Sequence, residues 1–132
     1  MPHLTLEYSA GLADKESLSL LCRKLARCLQ TLRDGERNVY PAGGIRVRAL
    51  CCETLCIADG AIDAAFLHAN LKIAAGRSEA VKRATGDALF EIIKEHFADM
   101  FERQGLALSL EINEFSEAGT WKHNNLHARL KR

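Results

Sequence analysis

Four short stretches of this chain alternate apolar and polar residues with a period of two, and that alternation limits the folds open to it. In HLTLEY (3–8), Leu4, Leu6 and Tyr8 share one side while His3, Thr5 and Glu7 share the other. In IRVRALCC (45–52), Ile45, Val47, Ala49 and Cys51 oppose Arg46 and Arg48. AFLHANLKIA (65–74) sets Ala65, Leu67, Ala69, Leu71 and Ile73 against Phe66, His68, Asn70 and Lys72. LALSLEIN (106–113) sets Leu106, Leu108, Leu110 and Ile112 against Ser109, Glu111 and Asn113. Successive strand side chains point to opposite faces, so each stretch reads as a half-buried strand.

Two segments with helical spacing separate these strands. Residues 15–33 carry Leu18, Leu21, Leu25, Cys28 or Leu29, and Leu32 at helical spacing, with Asp14 as N-cap and Asp34-Gly35 as the stop. A second helix starts at the Ser78 cap, runs to about 103 and carries Val81, Leu89, Ile92, Ile93, Phe97 and Met100. The order is strand–helix–strand twice. Right-handed crossovers place both helices on one face of a single four-stranded sheet. The expected fold is therefore α+β, two βαβ halves in one domain spanning 1–132. The helices leave the opposite, polar sheet face uncovered.

Composition removes several functions. Lys and Arg total 18 against 17 Asp and Glu, which leaves no general basic footprint for nucleic acid or an anionic membrane surface. No run of eighteen apolar residues occurs, and MPHLTLEY lacks the regions of a signal peptide, so the expectation is a cytoplasmic protein. The five cysteines read as reduced thiols. Cys51, Cys52 and Cys56 do not read as a zinc site, because neighbours on a strand point apart and no C-x-x-C occurs. Small buried apolar residues are the expected account of them.

Local features carry the chemistry. One of only two prolines follows the initiator methionine. Removal of Met1 exposes a secondary amine at Pro2, held by a strand. Desolvation and nearby cations both disfavour an ammonium, so such an amine titrates low enough to act as a base near neutral pH. Arg46 and Arg48 project side by side, and Arg77 follows Gly76 where a helix begins. Guanidinium groups bind carboxylates as planar forks. Alternation places the Pro2 ring with Leu4 and Leu6, away from Arg46, so a neighbouring subunit is one source of the arginines.

The segments MPHLTLEYS, PAGGIRVR, IADG, HANLKIAAGRS, ALFEIIKEHF, LALSLEINEF and WKHNNLHA resemble, in order, those of the 5-carboxymethyl-2-hydroxymuconate isomerase family of the tautomerase superfamily. The resemblance runs from Pro2 to about Ala128 and is least in 10–40. It implies a duplicated β-α-β fold, a homotrimer with inward-facing sheets, and active sites at or near subunit interfaces. It implies Pro2 as the catalytic base, Arg46 and Arg77 as substrate-binding or charge-stabilising groups, and Arg48 from the same block. It implies a small carboxylate substrate and neither a metal nor an organic cofactor. Two rival readings remain open: a phenylpyruvate-type keto–enol tautomerase, and a noncatalytic ferredoxin-like binding module.

Overall fold

The structure is a computed structural model that describes residues 1–130. The chain runs β1 (His3–Ser9), α1 (Lys15–Thr31), β2 (Arg33–Asp34), β3 (Arg37–Asn38), β4 (Arg46–Cys52), β5 (Ala64–Ala74), α2 (Glu79–His96), α3 (Ala98–Arg103), β6 (Gly105–Phe115) and α4 (Leu126–Leu130). The main sheet has the order β4-β1-β5-β6. β1 pairs with β4 in parallel, β5 with β6 in parallel, and the two halves meet where β1 and β5 run antiparallel. The four alternating stretches and both crossover helices thus fall where the sequence predicts them.

Register preserves face. Leu4, Leu6, Leu67, Ala69, Leu71 and Ile73 are almost wholly buried beneath α1 and α2. From α1 come Leu18, Leu21, Leu25 and Leu29, and from α2 come Leu89 and Ile93. Burying a leucine of this kind contributes about 1.5–3 kcal/mol relative to leaving it in water. Both caps form as predicted: Asp14 accepts from the Ser17 N–H at 2.7 Å, and Ser78 from the Val81 N–H at 3.1 Å. Tyr40 ties the connection after β3 into this core. The Thr85 hydroxyl donates to the Val81 carbonyl, so the buried Tyr40 hydroxyl donates to Thr85 Oγ1, 2.9 Å away.

Three expectations need correction. The second helix does not run unbroken to 103: at Phe97 the backbone leaves the helical region (φ −111°, ψ 18°), its ring turns into the core, and α3 starts afresh. The first helix ends at Thr31, and Asp34-Gly35 instead forms the bend of the two-residue β2–β3 hairpin. The cysteines are not buried. Cys51 and Cys56 are exposed and the other three half-buried: Cys51 and Cys52 lie on the edge strand β4, Cys56 in the loop after it, and Cys22 and Cys28 beside the leucine stripe of α1.

The polar face carries a hydrogen-bonded row. His68 meets Ser109 at 2.6 Å, Asn70 donates to Glu111 at 3.3 Å, and Asn113 donates to Asn70 at 3.0 Å. At its other end Arg48 reaches His3 Nδ1 at 3.1 Å. Burial, and after it the charges of Arg48, Arg46, the chain terminus and Lys72, hold the His3 imidazole below its ordinary pKa.

Candidate active site

The chain terminus lies at the end of the sheet where β1 and β4 begin. Pro2 is buried, and its carbonyl accepts the Arg46 N–H at 3.0 Å, so the proline is locked into the sheet. Beside it opens a cleft of about 600 Å³. Met1, Pro2 and Gly44 form one wall. Arg77 and Ser78 enter from the loop between β5 and α2, Asp34 and Arg37 from the β2–β3 hairpin, and Glu117, Lys122 and His127 from the C-terminal tail.

Close approach makes this geometry possible at two glycines. A Cβ on Gly44 would stand 3.3 Å from Met1 Cα and 3.6 Å from Pro2 Cδ. A Cβ on Gly43 would stand 2.7 Å from His127 Nδ1 and 2.9 Å from the His127 backbone nitrogen. The tail is tied to the same turn, since Asn124 donates to the Gly43 carbonyl at 3.1 Å and caps Leu126 N–H at 2.7 Å. Gly43→Ala is therefore expected to push α4 off the turn, with protease cleavage shifting into the tail. An unchanged digestion pattern would show that the tail does not depend on this contact.

The arginines separate. Arg77 is fixed on its inner side: it donates to the carbonyls of Ala74 (3.2 Å) and Val39 (3.0 Å), and its guanidinium lies 4.8 Å from the Tyr40 ring centre. It reaches the cleft from the same chain as Pro2, so no second subunit is needed to bring that pair together. Arg46 folds back and donates to the carbonyls of Gly43 and Ile45, each at 3.1 Å. Its charge still reaches the terminal amine. Arg48 stands on the open sheet face with His3, outside the cleft walls of a single chain.

The terminal amine, here that of Met1, is held below the ordinary α-amino pKa. Burial is the largest cause, followed by Lys122 and Arg77; Glu117 opposes them and Arg46 adds a smaller push. Loss of Met1 moves the free amine one residue inward, about 3.8 Å along the chain and nearer the sheet. Lys122, Arg37 and His127 did not stand out in the sequence. Lys122 lies in a tail without periodicity, and only the WKHNNLHA block marked it.

Residues 2–130 match the family described as CHMI: 5-carboxymethyl-2-hydroxymuconate isomerase. This chain belongs to that family. The 5-carboxymethyl-2-hydroxymuconate Delta-isomerase of Escherichia coli is 39% identical over 131 residues, covering 99% of this chain and 100% of that protein. A crystal structure of a 5-carboxymethyl-2-hydroxymuconate isomerase from Deinococcus radiodurans R1 has a TM-score of 0.88 at 47% identity, covering 99% of this chain and 95% of that one. Native fused 4-OT shares the fold alone, with a TM-score of 0.72 at 18% identity over 98% of this chain and 99% of that one. The 5-carboxymethyl-2-hydroxymuconate isomerase family is one of enzymes, and the chain has the α+β architecture of its members.

Proposed function

We propose that the chain, trimmed of Met1, isomerises 5-carboxymethyl-2-hydroxymuconate to its α,β-unsaturated ketone through the Pro2 amine. The observation that carries this reading is the buried Pro2 at the wall of a cleft shared with Arg77 and Lys122, where burial and those cations already lower the pKa of the Met1 amine. The neutral amine takes the 2-hydroxyl proton, the conjugated double bonds shift, and a proton is delivered to a carbon further along the chain. One O–H bond breaks and one C–H bond forms, with no net oxidation and no need for a metal or organic cofactor. Arg77 holds a carboxylate and draws negative charge along the dienolate, which is stronger catalysis in a desolvated cleft than in water. Arg46 adds positive potential from behind the turn. Arg48 serves the site only if a second chain brings it there.

The direct test is the ultraviolet absorbance change of 5-carboxymethyl-2-hydroxymuconate on protein whose intact mass shows Met1 removed. Saturable conversion supports the reading, and a rate no greater than buffer overturns it. A phenylpyruvate-type substrate is less well matched, because Arg37, Arg77 and Lys122 outnumber the cleft carboxylates Asp34 and Glu117.

The pH profile has a defined sign. The base works only as the free amine, so kcat/KM is lost as pH falls through the amine pKa, and burial with nearby cations moves that acid limb below the ordinary α-amino range. Removing a cation, as in Arg77→Gln, is expected to move the limb upward. A limb that stays in place would show that Arg77 does not act on the amine.

The reading includes a homotrimer. Trp121 is 88% exposed and Leu50, on the open sheet face, 51%. A self-assembly that closes the three sheets around an axis covers that face. Light scattering is expected to give three times the chain mass of 14.6 kDa, and a single-chain mass would refute the trimer.

A further inference from the structure

The tail after β6 is pinned at two points around Lys122. Upstream, Thr120 Oγ1 donates to the Ser116 carbonyl at 2.7 Å. Downstream, Asn124 bonds Gly43 and His127 packs on that same glycine. Lys122 is therefore carried to the cleft on a fixed segment, although it belongs to no strand or helix. Among the described residues no carboxylate lies within 4.0 Å of its ammonium. The sole acidic group of the tail in this cleft, Glu117, does not pair with it.

A dienol tricarboxylate brings three negative groups into one cleft. Arg77 is a single guanidinium that lines the cleft while Nη1 and Nη2 also hold the carbonyls of Ala74 and Val39. Arg46 turns its Nη1 back to Gly43 and Ile45 and is not among the residues that line the cleft. A compact ammonium on a flexible stem suits a second carboxylate whose position differs from the first.

We infer that Lys122 binds a second carboxylate of the substrate and sets a preference for polycarboxylate over monocarboxylate enols. The inference rests on the isomerase reading above and extends it to a residue of the C-terminal tail. Lys122→Gln, in Met1-trimmed protein, is expected to lower kcat/KM for 5-carboxymethyl-2-hydroxymuconate at least tenfold, mainly through KM. The ratio of kcat/KM for that substrate over enolic phenylpyruvate is expected to fall by a similar factor, and Lys122→Arg to recover most of it. An unchanged ratio, or equal losses on both substrates, would overturn the inference and leave the isomerase reading intact.

If the wild-type protein does not convert the tricarboxylate, the isomerase reading falls, and calorimetry with propane-1,2,3-tricarboxylate then decides the Lys122 site. Binding weakened tenfold or more by Lys122→Gln supports it. Equal binding by both proteins, or no binding by wild type, rejects it.

Discussion

A chain that keeps Met1 is expected to turn over 5-carboxymethyl-2-hydroxymuconate about 10²–10⁴-fold more slowly than the same chain beginning at Pro2, the range a positioned general base contributes. With Met1 in place the Pro2 nitrogen is an amide that carries no proton and offers no basic lone pair. The Met1 amine is primary, and it sits one residue further from the sheet. The Pro2 carbonyl is bonded to Arg46 N–H, so the strand that carries Met1 has no freedom to slide and make up the difference. Two preparations separated by intact mass make the comparison without any substitution. Equal rates would remove the Pro2 amine from the reaction. Pro2→Ala complements this, since it keeps a terminal amine but frees rotation about its N–Cα bond and makes it primary; a partial loss is the expected outcome.

Arg77→Ala is expected to lower kcat/KM by about 10²–10³, the effect of removing one preorganised donor from a developing anion. The guanidinium is already oriented by two carbonyls and by the Tyr40 face, so little ordering remains when substrate arrives. Arg77→Lys keeps the charge but loses both the fork and the stacked plane, and recovery is expected to be incomplete. The buried Tyr40–Thr85 bond does not involve Arg77, so the helix α2 attachment survives and thermal melting reports whether the fold is retained. Wild-type kcat/KM in a folded Arg77→Ala protein would exclude Arg77 from the site.

The sheet was legible because its side chains obey a local rule. Leu4, Leu6, Leu67, Leu71 and their alternating neighbours announce a face whatever they pack against, and Asp14 and Ser78 announce helix starts by bonds made within three residues. The break at Phe97 was not legible, since the apolar stripe continues through it and only the core decides where that ring goes. The division of labour among the arginines was hidden for a similar reason. Arg46 and Arg48 are equivalent by alternation, yet Arg46 turns back to carbonyls of the preceding glycine turn while Arg48 meets His3. Lys122 depended on its neighbour Asn124 bonding Gly43, 81 residues away in the chain, and no local pattern encodes that.

The two βαβ halves are paired almost symmetrically about the β1–β5 seam, but they begin differently. β1 starts at a chain end, whereas β5 starts inside a continuous backbone, after Asp63. If Pro2 is the base as proposed, a peptide nitrogen at the entrance of β5 has no lone pair to match it, and duplication of the architecture does not duplicate the chemistry. On that reading an electrophile selective for amines of depressed pKa should reach a stoichiometry of one per chain, and the second half serves the site in another way, through Arg77 in the loop that leaves β5.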